Sequence, residues 1–161
     1  MKSIIQRDSL RRNLRDYRET YLTTKNLNLD ESATRIIVNH LLTDVLGYRE
    51  LLEIKTEYPV MGGYIDYLVE VANKKQMVIE VKSMGTNLRF KHLRQAIYYA
   101  LSVGVNLIIL TNGQEVQVYK VVYKGRLIIS HEFSVNLSYG DEINSKYLAR
   151  ISRQQIETIR Q

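Results

Sequence analysis

The chain has 161 residues, of which 45% are hydrophobic and 25% charged, the composition of a folded globular protein rather than of a disordered tail. It contains no cysteine, which excludes disulfides, thiol nucleophiles and cysteine-ligated metal centres. Its formal net charge of +6 favours a polyanionic partner. The apolar runs are too short to span a membrane and the N-terminus lacks an apolar signal core, so we expect a cytoplasmic protein.

The spacing of apolar residues changes along the chain and predicts the order helix, helix, three strands, helix, three strands, helix. The predicted ranges are helices at 2–21 and 31–46, strands at 52–58, 64–71 and 76–82, a helix at 87–103, strands at 106–111, 115–123 and 126–133, and a helix at 141–160. Three consecutive strands favour an antiparallel meander, and the helix that follows them allows a crossover to a further strand. The expected fold class is therefore α/β, with a mixed central β-sheet flanked by helices.

No repeat or linker divides the sequence. We expect a single domain over residues 1–161, with a core at about 30–134, a helical lead-in at 1–22 and a helical tail at 140–161. The lead-in and the tail are rich in arginine, so each is either an extension of a polyanion-binding surface or an ordinary solvated helix face.

Three charged residues on the second and third strands form the central chemical pattern: Asp66, Glu80 and Lys82. The opposite faces of these strands are apolar, with Ile65, Tyr67, Val69 and Val71 on one and Met77, Ile79 and Val81 on the other. Burying both apolar sets together places Asp66 on the face of Glu80 and Lys82, and it requires a hairpin register with an even residue sum. A three-residue loop at 72–74 would set Asp66 directly opposite Glu80.

Two opposed carboxylates repel each other unless a cation lies between them. Carboxylate oxygens are hard ligands that suit Mg²⁺ or Mn²⁺. The ammonium group of Lys82 beside such a metal would orient or deprotonate a water, or stabilise charge on a phosphate. These are the requirements of phosphodiester hydrolysis, although a Glu-x-Lys pattern on a half-exposed strand also occurs as a solvated face.

The helix after this strand carries three polar residues on one stripe, at i, i+3 and i+7: His92, Gln95 and Tyr99. His92 and its basic neighbours are candidate contacts for the phosphates of a nucleic acid: Arg89, Lys91, His92 and Arg94. No acidic residue occurs from Val81 to Gln114. The alternative is an ordinary polar helix face.

The runs Gly63 to Tyr67, Val78 to Lys82 and Gln95 to Tyr99 together resemble the PD-(D/E)xK nuclease superfamily. More narrowly, the sequence is similar to the N-terminal nuclease domain of type I restriction enzyme R subunits over roughly residues 31–122. That family pairs an Asp with a Glu-x-Lys and adds Gln-x-x-x-Tyr on the following helix. The resemblance implies a restriction-endonuclease-like core.

The resemblance also implies five catalytic residues, the first two of them metal ligands: Asp66, Glu80, Lys82, Gln95 and Tyr99. Glu31, at the start of the first core helix, is the candidate for a further carboxylate near the metal; the alternative is a charge favoured by the helix dipole. The implied cofactor is Mg²⁺, with Mn²⁺ as a substitute. The sequence has no Gly-x-x-x-x-Gly-Lys-[Ser/Thr] loop, so we expect no ATP site in this chain.

The expected function is that of a Mg²⁺-dependent DNA endonuclease with low intrinsic sequence specificity, because no element is typical of a major-groove reader. The expected partners are double-stranded DNA and the motor, modification or specificity subunits of a restriction system, with a homodimer if one site is to cut both strands. One alternative is a catalytically silent DNA- or partner-binding module on the same fold. Another keeps the chemistry but acts on a junction or a single-strand end.

Overall fold

The structure is a computed structural model that describes residues 2–159, with side chains from Arg7 to Ile159. Met1, Arg160 and Gln161 lie outside the described residues, and with them the ends of the predicted lead-in and tail. The helices are α1 (Lys2–Tyr21), α2 (Glu31–His40), α3 (Leu93–Val103), α4 (Asp141–Ala149) and α5 (Arg153–Thr158). The strands are β1 (Ile54–Val60), β2 (Gly63–Val71), β3 (Lys74–Val81), β4 (Leu107–Thr111), β5 (Glu115–Tyr123) and β6 (Leu127–Asn136).

The six strands form one sheet in chain order, from β1 at one edge to β6 at the other. Neighbouring strands are antiparallel except β3 and β4, which are parallel and are joined by the crossover through α3. This mixed sheet flanked by helices confirms the predicted α/β class and is consistent with a restriction-endonuclease-like core. Within residues 2–159, no helix combines the length and hydropathy needed to cross a membrane.

Each face of the sheet carries its own buried apolar cluster. The first face is covered by α1, α2 and α4, with Leu14, Val38 and Ile79 among its buried residues. The second face is covered by α3, with Leu68 and Leu93 among its buried residues. The sheet is therefore the middle layer of three, and the polar residues at the ends of its strands are placed by two packed cores.

Ile65 departs from the predicted alternation. We expected it on the face of Tyr67, but it packs in the cluster of the second face, whereas Tyr67 packs in that of the first. Glu57, opposite Asp66 in the register of β1 and β2, has a φ of 46°, so the strand pair is irregular at this point. Strict alternation holds only for regular extended backbone, and Asp66 lies where that regularity fails.

The β2–β3 hairpin has the even register predicted near the candidate site. Tyr67 pairs with Ile79 and Val69 with Met77, both even sums, and Tyr67 and Ile79 are the last paired residues before Asp66 and Glu80. The apolar residues of the first face thus have the register that the sequence pattern indicated.

The predicted three-residue loop at 72–74 is wrong. The turn has two residues, Ala72 and Asn73, with φ values of 50° and 60°, which is the left-handed conformation that matches the twist of a tight hairpin. Such a turn alone would give an odd register. A bulge corrects it, because Gln76 is an extra residue on β3 opposite the Val69–Glu70 step of β2.

Several helices differ in detail from their predicted ranges. The second continues past His40 as a π-helical turn, Leu41–Val45, and its Ile36 is 65% exposed. The predicted tail helix is broken in two, because the Ser152 side chain accepts a hydrogen bond from the Gln155 N–H and begins a new helix. The predicted α1 is confirmed, and Gly104 ends α3 in the left-handed conformation.

Candidate active site

The N-terminus of α2 is fixed beside the end of β3. Asp30 caps the helix by accepting a hydrogen bond from the Ala33 N–H at 2.8 Å, so Glu31 is its first residue. The chain leaving β3 is tied to the same helix, because the Met84 N–H donates to the Thr34 hydroxyl at 3.0 Å. These contacts bring Glu31 to the end of the strand that carries Glu80.

Lys82 is hydrogen-bonded on both its backbone and its side chain. Its N–H donates to the carbonyl oxygen of Thr111 on β4 at 2.8 Å, which holds the residue at the end of the parallel strand pair. Its ammonium Nζ lies 2.6 Å from Oε1 of Glu80 and 3.7 Å from Oε2 of Glu31. The ammonium group therefore lies between two carboxylates that come from different elements.

Asp66 joins this group through the backbone of β3. Its Oδ2 accepts a hydrogen bond from the N–H of Val81, the residue between Glu80 and Lys82, at 2.8 Å. Its Oδ1 accepts a hydrogen bond from the guanidinium of Arg35 at 3.0 Å. The structure thus brings together the predicted Asp66, Glu80 and Lys82 at one end of the sheet.

The electrostatics of this cluster follow from its burial and its mixed charges. Burial raises the pKa of Glu80, and the nearby charges of Asp66 and Glu31 add to that rise, which outweighs the opposing hydrogen bond from Lys82. Burial alone would lower the pKa of Lys82, but the hydrogen bond to Glu80 and the surrounding carboxylates raise it. The lysine is stabilised as an ammonium ion, while the ionised form of Glu80 is disfavoured.

The donor atoms fit a hard cation only in part. Within residues 2–159, no group of three or more acidic or histidine side chains converges as a set able to hold a metal ion. Asp66 and Glu80 provide two carboxylates, and Mg²⁺ in proteins often takes one or two carboxylates and keeps several waters. The chemistry of this pair fits Mg²⁺, with Glu31 held near by through Lys82.

Gln95 and Tyr99 have a different position from the acids. The Gln95 side-chain amide donates to the Tyr99 hydroxyl on α3, and a Cβ at Gly63 would overlap that same hydroxyl. In the described part of the chain, the hydrogen bonds of these two side chains do not reach Asp66 or Lys82. The pair packs against the start of β2, three residues before Asp66, which explains why glycine is needed there.

The predicted basic residues lie at the start of α3, where Arg89, Lys91 and Arg94 are exposed. His92 is half-buried, and its Nδ1 accepts a hydrogen bond from the Arg89 N–H at 3.1 Å. Burial lowers the pKa of His92, and the charges of Lys91, Lys82 and Arg89 lower it further.

Arg35 is a member of the cluster that the sequence reading did not identify. Arg35 follows Glu31 by four residues and therefore lies on the same side of α2. This spacing is the sequence feature from which Arg35 could have been predicted. Besides Asp66, its guanidinium lies 4.0 Å from Glu57, and its carbonyl oxygen accepts the Tyr67 hydroxyl at 2.5 Å. Hydrogen bonding and charge from Asp66 raise the pKa of Arg35 although burial opposes this.

A cleft of about 660 Å³ opens beside this arginine, between α2 and the first two strands. Arg35 and Asp66 line it, whereas Glu80 and Lys82 do not. The Arg35–Asp66 pair therefore forms the boundary between the open cleft and the more buried Glu80–Lys82 pair.

Comparison with known protein families identifies the family of this chain. The family described as type I restriction enzyme R protein N terminus (HSDR_N) matches residues 30–133, which include Glu31, Asp66, Glu80, Lys82 and the whole of α3. Searches of curated proteins and of solved structures found no match. The family match covers more than half of the chain, and the chain belongs to the family of type I restriction enzyme R protein N termini.

Proposed function

We propose that this chain is a Mg²⁺-dependent DNA endonuclease domain of the type I restriction R-subunit kind, with low intrinsic sequence specificity. The observation that supports it most directly is the position of Lys82. Its ammonium contacts Glu80 and Glu31, while Asp66 is hydrogen-bonded to the N–H between Glu80 and Lys82. Two acids and a lysine on one strand pair provide the groups that phosphodiester hydrolysis requires.

In this reaction the oxygen of a water adds to phosphorus, the bond to the leaving oxygen breaks, and that oxygen takes up a proton. Bound Mg²⁺ supplies positive charge to the phosphate and lowers the pKa of water. Asp66 and Glu80 are the residues that would hold it. Lys82 has three N–H donors, of which one is directed at Glu80, so others remain for a water or a phosphate oxygen.

The basic residues at the start of α3 would bind the DNA backbone beside this centre. Arg89, Lys91, His92 and Arg94 would contact phosphates, which gives affinity without reading sequence. Gln95 and Tyr99 would act by positioning the start of β2, and thus Asp66, and by contacting DNA through the exposed amide. Target choice and ATP-driven movement would then come from motor, modification or specificity subunits, and cutting of both strands from a second copy.

One observation favours a second candidate function, that of a silent DNA- or partner-binding module. Asp66 and Glu80 are already paired with cations, Arg35 and Lys82, within the chain itself. A module that needs no metal would keep its acids neutralised in this way. Against it stands the placement of Glu31 and Asp66 beside the same lysine-bearing strand end, because a purely structural Glu80–Lys82 pair gains nothing from further carboxylates.

Cleavage of supercoiled plasmid in Mg²⁺ or Mn²⁺ distinguishes the two functions. Glu80→Gln and Lys82→Ala are compared with wild type, and Glu70→Gln, at the other end of β2, is the matched control. We expect metal-dependent nicking in wild type and control and none in the two site variants. Calorimetric titration with Mn²⁺ is the second measurement: a folded wild type that binds DNA, but neither binds Mn²⁺ nor cuts, is the silent module.

A further inference from the structure

The outer face of α3 carries exposed aromatic residues that the proposed hydrolysis does not use. Phe90, in the short turn that leads into α3, is 56% exposed, and Tyr98 is 51% exposed. Arg94 is also exposed and lies between them at four-residue spacing. Because Arg94 and Tyr98 are four residues apart on α3, they share one side of that helix, and Phe90 lies in the 3₁₀ turn directly before it; we call these three residues the stripe.

One ring of the stripe, that of Tyr98, has a buried neighbour. The ring of Tyr98 lies 5.9 Å, centroid to centroid, from the ring of Tyr99, which is buried in the core of the second face. Tyr98 therefore has one side against a fixed neighbour and much of its ring open to solvent. A fixed, half-open ring loses little conformational entropy when another flat group stacks on it.

The charge around the stripe is of one sign. Arg89 and Lys91 flank Phe90, and no acidic residue occurs from Val81 to Gln114, which includes all of α3. This face repels a cationic partner and attracts a polyanion. Aromatic rings that alternate with arginine in an acid-free region combine what a nucleic acid offers, namely flat bases and phosphates.

We infer that the Phe90–Arg94–Tyr98 stripe binds an unpaired strand of DNA, with bases stacked on the two aromatic rings and phosphates at the arginine. In a duplex the flat faces of the bases are covered by one another, so exposed rings gain nothing from it, whereas a single strand leaves those faces free. The inference rests on the proposed function, because it specifies the substrate of that function as DNA with an unpaired segment next to the bond that is cut.

The test measures binding without metal, so that cleavage plays no part. Fluorescence anisotropy in EDTA at fixed salt compares a labelled single strand with the same strand in a duplex, using the full chain. The variants are Phe90→Ala and Tyr98→Ala, and the matched control is Tyr123→Ala, which removes a ring that is 67% exposed at the end of β5 and is not part of the stripe. Circular dichroism verifies that each variant is folded.

We expect each α3 variant to weaken single-strand binding about five- to tenfold, the low end of base stacking on an aromatic side chain, with duplex affinity changed less than about twofold. The single-strand affinity of the control should match that of wild type. The fluorescence of 2-aminopurine placed in the strand should be quenched on binding to wild type and quenched less on binding to Tyr98→Ala. Unchanged single-strand affinity in both variants, or equal losses for single strand and duplex, would overturn the inference. A protein that binds single strands in this way but never cuts plasmid contradicts only the proposed function.

Discussion

Two glutamates lie at almost the same burial in this protein, yet their surroundings act on them in opposite directions. Glu80 on β3 is 4% exposed, and Glu53, just before β1, is 5% exposed. Burial and neighbouring acids raise the pKa of Glu80. Burial would also raise the pKa of Glu53, but hydrogen bonds and charge from Arg153 and Arg49 lower it overall. Equal burial therefore goes with opposite pKa shifts, and the neighbours of each carboxylate decide the direction.

The number of donors around each carboxylate explains the difference. Both oxygens of Glu53 accept from Nε of Arg153, at 2.9 and 2.8 Å, and Oε2 also accepts from the Arg49 N–H at 2.9 Å. These contacts fasten α5 to the start of β1. Glu80 has the single ammonium of Lys82, which it shares with Glu31. A saturated carboxylate stabilises the fold, whereas an unsaturated one among like charges is typical of a functional site.

The largest expected effect is on activity at Glu80. If Glu80 is a metal ligand and Glu53 is not, Glu80→Gln should reduce the rate of metal-dependent nicking on the order of 1000-fold, because the substitution removes a charge that would hold the cation. The nicking rate of Glu53→Gln, measured at a temperature at which the variant is folded, should lie within about threefold of the wild-type rate. Comparable losses in the two variants would mean that both glutamates act only through the fold.

The second effect is on stability at Glu53. Glu53→Gln takes the charge from the two hydrogen bonds that Arg153 Nε makes to Glu53 and leaves the arginine with the exposed Glu157 as its remaining charged partner, and loss of such charge-assisted hydrogen bonds costs about 2 kcal/mol. Urea unfolding followed by circular dichroism should show that loss in the free energy of unfolding. A variant within 0.5 kcal/mol of wild type, on the order of a typical surface substitution, would show that the arginines reach other acceptors and that the Glu53 cluster is not a structural anchor.

The third effect is the acid dependence of stability. The pKa of Glu53 is lowered on folding, so the folded chain binds its proton at lower pH than the unfolded chain does. The stabilisation is therefore complete above the usual glutamate pKa of 4.5 and is lost as the pH falls through the lowered value. Urea midpoints measured from pH 6 to pH 3 should fall less steeply for Glu53→Gln than for wild type, while parallel curves would assign the acid sensitivity to other carboxylates.

The sequence was sufficient for the part of the site that depends on strand pattern. Alternating apolar residues on β2 and β3 predicted the even register, and hence Asp66 opposite Glu80, because a slip by one residue would bury the wrong face. The turn could not be predicted in the same way. Ala72 is not a residue that signals a left-handed turn, and the bulge at Gln76 compensates for it without leaving a pattern.

The contacts between elements also could not be predicted from the sequence pattern. Arg35 and Asp66 are 31 positions apart, and only the packing of α2 against the strand ends brings them together. The same holds for Glu53 and Arg153, which are 100 positions apart and whose pairing is what separates a structural glutamate from Glu80. Periodicity predicts the face of a residue only where the strand is regular, which fails at Ile65, and the partner of a side chain depends on how the helices pack on the sheet.

The smallest expected effect is the most direct test of the comparison, because it concerns stability at the site itself. Glu80→Gln removes a charge whose burial is unfavourable and whose neighbours include Asp66, and it leaves Lys82 with Glu31 as a partner. These gains offset the lost ion pair, so the free energy of unfolding should change by less than about 1 kcal/mol and should tend to rise. Urea unfolding of Glu80→Gln beside Glu53→Gln, without metal, measures this. If the two variants were destabilised equally, Glu80 would be as structural as Glu53, and its raised pKa would carry no functional meaning.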